Sequence, residues 1–229
     1  MLGKAIVRRA RGLRGNKSAI TVTFTPKKKR VRPAFEQREY RRLWRTLLSR
    51  VNSAKNLRAR LSRELLRYYV LVLANSGLRP GEANALRLND VHAFRDERGR
   101  KNYRLVVRGK TGERDVILRS VAAKRLDKYL TKRRVEDPQG FLFVMPDGSK
   151  VISLIDQLDA ALKQAGILRS SFGEKYSVYS LRHFYAVNAL RNGVGVFEVA
   201  RNMGTSVQII QEYYGKQATP SVFATRLGY

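Results

Sequence analysis

The sequence predicts a mostly helical α+β fold with one small antiparallel three-stranded sheet. Three observations predict it. Apolar residues recur at helical spacing before Gly77 and again after Leu118, they fall into short strand-like runs in between, and glycine turns punctuate those runs. An apolar content of 43% in 229 residues supplies an ordinary core and allows one large domain or two small ones.

The elements follow in order. Residues 1–34 read as a basic, flexible arm: no acidic residue precedes Glu36, and the segment is rich in Arg, Lys and Gly around one strand-like patch, Ala19 to Phe24. Phe35 to Ser53 reads as a helix with Phe35, Tyr40, Leu43, Trp44, Leu47, Leu48 and Val51 on one broad face. Leu57 to Ser76 is a second helix, and Gly77 stands where a left-handed cap is expected. Pro80 suits the first turn of a new helix, which places Arg79 at a helix mouth. Val91–Phe94, Tyr103–Val107 and Arg114–Leu118 are the strands, with a turn over 95–100 and a glycine-flanked hairpin tip at Gly109-Lys110-Thr111-Gly112. Helices then run over Ser120–Val135 and about Ser153–Ala165. Another covers Tyr179–Leu190, Asn192 to Gly195 breaks the chain, and Thr205 and Ser206 open the last helix.

Charge narrows the function. Lys and Arg number 47 against 18 Asp and Glu, a net charge of +29, far beyond what solubility needs. A polyanionic partner is expected, nucleic acid first and an anionic membrane surface second. No apolar run approaches the roughly 18 residues of a membrane span; the longest is Tyr68 to Ala74. In the arm, Lys27, Lys28, Lys29, Arg30 and Arg32 are the expected DNA-binding residues, meeting the phosphate backbone by charge. The same stretch imitates a nuclear-import signal, and the acid-free start imitates an organelle transit sequence. Cysteine is absent, which excludes thiol nucleophiles, disulfides and cysteine-ligated zinc. The two histidines, His92 and His183, sit in no metal-binding pattern, and the carboxylates are scattered. The expected chemistry therefore uses cations and hydroxyls, with no metal and no cofactor.

Tyr179-Ser180-Leu181-Arg182-His183 is the richest stretch. At helical spacing its phenol, guanidinium and imidazole share one face beside the small Ala186, an arrangement that suits a phosphate. A plain surface cluster is the alternative, as it is for Arg79 beside its turn. Lys110 at a hairpin tip is either solvated or able to reach into a ligand from above.

Taken in order, Gly77-Leu78-Arg79-Pro80-Gly81-Glu82, Gly109-Lys110-Thr111-Gly112, Tyr179-Ser180-Leu181-Arg182-His183, Met203-Gly204-Thr205-Ser206 and Tyr213-Tyr214-Gly215 resemble the tyrosine recombinase (phage integrase) family. The resemblance implies a catalytic domain over 35–216 and a tail over 217–229 that docks on a neighbouring protomer. It also implies the absence of the family's amino-terminal helical clamp, for which residues 1–34 are too few. The implied catalytic set is Arg79, Lys110, Tyr179, Arg182, Thr205 and Tyr214, supported by Glu82 and His183. The arginines would hold the scissile phosphate, Lys110 would protonate the leaving 5′ oxygen, and Tyr214 would be the nucleophile, with Tyr213 as its competitor. Tyr179 stands where many members have histidine, and Thr205 where they have histidine or tryptophan. The implied function is site-specific recombination of double-stranded DNA through a 3′-phosphotyrosine, without metal or ATP, by several protomers in a synaptic complex. Its implied setting is the cytoplasm, encoded by a phage or mobile element. A type IB topoisomerase-like activity and a non-cutting DNA-binding relative are the alternatives.

Overall fold

The computed structural model describes residues 33–109 and 112–214. The arm residues Lys27 to Arg30 and Arg32, the hairpin lysine Lys110 and the tail over 217–229 lie outside the described residues.

Helix α1 (Gln37–Asn52) starts where the Glu36 amide donates to the Glu39 carboxylate at 2.7 Å, satisfying an N-terminal donor that no helical carbonyl reaches. It buries Leu43, Leu47 and Val51. Leu48, expected on that face, is instead 41% exposed. It lies four residues after Trp44 on the flank of the stripe, where the guanidinium groups of Arg67 and Arg125 lie over the half-buried Trp44 ring.

Helix α2 (Leu57–Ser76) is capped by Asn56, whose side chain accepts from the Ala59 amide at 2.8 Å. Every residue from Tyr69 to Ser76 is buried, so the second half of α2 is the axis of the core. Gly77 ends it at φ +70°, and Pro80 opens the short α3 (Pro80–Ala85). A 3-10 turn, Leu88–Asp90, leads into the sheet.

The sheet is antiparallel in the order β1 (Val91–Arg95), β2 (Lys101–Gly109), β3 (Gly112–Leu118). Tyr103, Leu105 and Val107 pair with Leu118, Val116 and Arg114, so these six share one face by the two-residue period of a strand. Five of the six are buried apolar residues, and the sixth is Arg114. Helices α4 (Ser120–Glu136) and α5 (Ile155–Gln164) complete the main core with α1, α2 and the sheet.

Helix α6 (Val178–Arg191) is shared between two apolar clusters. Val178, Leu181 and Phe184 belong to the main core. Tyr185, Ala186, Val187, Ala189 and Leu190 pack instead with α7 (Val196–Met203) and α8 (Val207–Tyr214) in a second, smaller one. Gly204 closes α7 at φ +62°, and the Ser206 hydroxyl accepts from the Ile209 amide at 3.2 Å in the first turn of α8. Among the described residues no helix is long and apolar enough to cross a membrane.

Candidate active site

Two glycine-capped turns, at Gly77 and Gly204, lie close together, and the site is built on them. At the first, Arg79 occupies the cap position of α3 in extended backbone. Its amide donates to Glu82 Oε2 at 2.8 Å and its Nη1 to Glu82 Oε1 at 2.8 Å. Its Nη2 crosses to the second turn and donates to the Gly204 carbonyl at 2.7 Å. The Arg79 side chain remains 41% exposed.

Arg182, one turn into α6, is buried and donates from Nη1 to the Gly77 carbonyl at 2.5 Å. Burial lowers its pKa to about 10, the nearby Arg79 charge pushes the same way, and Glu82 opposes both. Arg79 and Arg182 thus lie close enough for their charges to interact, and the nearby Glu82 carboxylate offsets them only in part, which leaves a local excess of positive charge. Such a place favours an anion.

Tyr214, at the end of α8, is 5% exposed, and its hydroxyl is hydrogen-bonded to His183 Nδ1. The ring centroids lie 5.5 Å apart. Burial pushes the Tyr214 phenol up to about 12, against the pull of the Arg182 charge. Tyr213 is half-buried, its ring 6.4 Å from that of Tyr214.

The structure therefore brings Arg79, Glu82, Arg182, His183 and Tyr214 together around the Gly77 and Gly204 turns. Thr205 lies in the second turn, its amide donating to the Ala200 carbonyl at 3.0 Å. Tyr179 lies in the first turn of α6. It lines a cavity of about 490 Å³ together with Tyr69, Pro80, Asn84 and the start of α5. Among the described residues, no group of three or more His, Asp or Glu is placed to hold a metal ion.

Two residues of the site escaped the sequence reading. Arg114 grips both Glu82 oxygens, Nη1 to Oε1 at 3.0 Å and Nη2 to Oε2 at 2.9 Å. Asn202 donates to the Ser76 carbonyl at 2.9 Å and to the Tyr185 hydroxyl at 2.7 Å, and accepts from the Ile117 amide at 2.7 Å, tying α7 to α2, α6 and β3. Arg114 did leave a signal: it alternates in step with Val116 and Leu118, an arginine in an inward register.

Known proteins share this architecture. The XerH site-specific recombinase, in a post-cleavage complex with palindromic difH, superimposes with a TM-score of 0.65 at 20% identity, over 86% of this chain and 53% of that one. The XerA recombinase gives 0.60 at 25% identity, over 84% and 63%. The catalytic domain of bacteriophage HP1 integrase gives 0.55 at 15% identity, over 86% and 95%. The chain thus spans about half the length of XerH and nearly all of the HP1 domain. Comparison with curated protein sequences gave no match. The sequence model of the phage integrase family matches residues 34–219, a span that takes in both glycine-capped turns, the hairpin and α8. The chain therefore belongs to the phage integrase family, the tyrosine recombinases.

Proposed function

We propose that this protein cleaves and rejoins duplex DNA through a 3′-phosphotyrosine on Tyr214, in the service of site-specific recombination. The observation that carries the reading is the Tyr214 hydroxyl, held by His183 inside the field of Arg182. In this reading Arg79 and Arg182 exchange their carbonyl partners for the two non-bridging oxygens of the scissile phosphate. A phosphate offers charged acceptors where the carbonyls are neutral, and the extra charge of the phosphorane strengthens both contacts in the transition state. The Tyr214 oxygen attacks phosphorus and loses its proton, with the His183 imidazole as the adjacent acceptor. The bond from phosphorus to the 5′ oxygen breaks, and that oxygen takes a proton from Lys110. The phosphotyrosine keeps the phosphodiester energy, so attack by a 5′ hydroxyl reverses the step and rejoins the strand.

Tyr179 and Thr205 complete the proposed set as hydroxyl donors at the edge of the phosphate site. The partners in this reading are the duplex and further protomers, with residues 217–229 as the docking tail and the arm residues Lys27 to Arg30 and Arg32 on the DNA backbone. The XerH complex, captured on DNA after cleavage, supports the choice of substrate. The cytoplasm is the setting that fits.

The test is adduct formation on a nicked suicide duplex, with EDTA and without ATP, read on a denaturing gel. Wild type and Tyr213→Phe should both yield a protein–DNA adduct, and Tyr214→Phe should yield none. Loss in Tyr213→Phe alone would transfer the nucleophile's role to the neighbour. A wild type that binds the duplex and forms no adduct would sink the reading.

A further inference from the structure

Arg114 takes no part in the chemistry just described, yet it joins Glu82, beside Arg79, to the turn at 203–204. Its guanidinium meets Glu82 as a bidentate fork, and Nη2 also donates to the Met203 carbonyl at 3.3 Å. Arg79 spans the same two places, from Glu82 to the Gly204 carbonyl at 2.7 Å. The contacts close a ring that runs from Arg79 to Glu82, to Arg114, to the turn at 203–204, and back to Arg79. Gly204 is shaped for it: a Cβ there would lie 2.5 Å from Arg114 Nε and 2.6 Å from its Cζ. The bare glycine lets the guanidinium lie against the turn.

A carboxylate has about four lone-pair sites. In Glu82 all of them are used: Oε1 accepts from Arg79 Nη1 and Arg114 Nη1, and Oε2 from the Arg79 amide and Arg114 Nη2. The carboxylate has no freedom to turn, and the Arg79 guanidinium is restricted to Oε1. With Arg114 removed, the edge it covers falls open and Arg79 can fold onto Glu82 as a two-pronged pair. That would neutralise the fork and draw it away from the Gly204 carbonyl and from any phosphate beside it.

We propose that Arg114 is a positioning residue for strand cleavage: by occupying Glu82 it keeps the Arg79 fork aimed at the phosphate, and it couples that pose to the turn leading into the helix of Tyr214. This rests on the strand-transfer reading above. Lysine cannot substitute, because an ammonium group is a point donor that does not cover both oxygens at once.

The experiment measures single-turnover adduct formation by wild type, Arg114→Ala and Arg114→Lys on two suicide duplexes. One carries the ordinary phosphodiester at the scissile position and the other a methylphosphonate, which has no negative charge and so asks less of Arg79. A misplacement of the order of an ångström lowers a rate about 100-fold, and a loss of that order is expected for both variants on the ordinary duplex, with unchanged duplex affinity. On the methylphosphonate the deficit should shrink to a few-fold. Wild-type rates in both variants, or an equal deficit on the two duplexes, would overturn the proposal. Arg114→Lys keeps a positive charge and the aliphatic stem, so it carries the comparison should Arg114→Ala fail to fold. Wild type without adduct on the ordinary duplex would remove the strand-transfer reading and this inference with it. A normal wild type with equal variant deficits would remove the inference alone.

Discussion

Tyr214 shows how one side chain can be prepared and restrained by the same burial. Its phenol is pushed up to about 12 from 10.0, so the folded protein holds the proton that the unfolded chain releases. The stabilisation is complete below pH 10 and is lost as pH rises from 10 to 12, an effect on the order of 2 kcal/mol. The stability advantage of wild type over Tyr214→Phe, measured by urea denaturation at each pH, should shrink across that window. An advantage that stays level would place the phenol nearer its ordinary pKa. His183 is the adjacent acceptor, and His183→Ala should slow adduct formation roughly 100-fold, the lower range for general-base loss, while leaving duplex affinity intact. A wild-type rate in that variant would confine His183 to packing. In the sequence, Tyr213 and Tyr214 are told apart only by family spacing. Folding separates them further, burying Tyr214 against His183 and leaving Tyr213 half-exposed.

Glycine punctuation made the elements legible. Gly77 was expected as a left-handed cap and adopts φ +70°. The sequence does not reveal how closely that turn is packed: a Cβ on Gly77 would lie 2.4 Å from Tyr185 Cδ1 and 3.0 Å from Met203 Cγ. Gly77→Ala should therefore destabilise the fold by about 2–4 kcal/mol, the left-handed backbone penalty added to overpacking. It should also slow cleavage, since the Gly77 carbonyl holds Arg182. A shift in the urea midpoint worth less than about 1 kcal/mol would mean that the ring of Tyr185 yields easily. The change of period predicts the strands, yet β2 begins at Lys101, two residues before the expected Tyr103, because the Arg95–Lys101 pairing needs only backbone. Arg114 was missed for a related reason. Its identity signals solvent, and only the tertiary approach of Glu82 and the turn at 203–204 gives an inward arginine its partners.

For the whole molecule, the charge of +29 is the dominant fact, and it was legible from composition alone. Each phosphate neutralised adds roughly 0.9 to the magnitude of the log–log salt slope of binding. Deleting residues 1–30, which hold no acidic residue, should flatten that slope markedly while leaving the family-matched span of 34–219 intact. A slope that does not change would mean that the arm makes no backbone contacts. What composition could not show is the convergence of the site, because its parts come from residues 77–82, 114, 182–183 and 203–214 and meet only through tertiary contacts.

The two apolar clusters have a consequence for heat. Tyr214 and Ile210 pack in the smaller one, while α1, α2, the sheet and α4 belong to the larger. A small cluster opens at a lower free energy than a large one. Warming should then release α8 while the bulk of the helices persists, and cleavage should fail some degrees below the melting midpoint seen by far-ultraviolet circular dichroism. The loss should be fully reversible on cooling, since the framework that re-seats α8 never melts. Coincident curves would mean that both clusters melt as one unit.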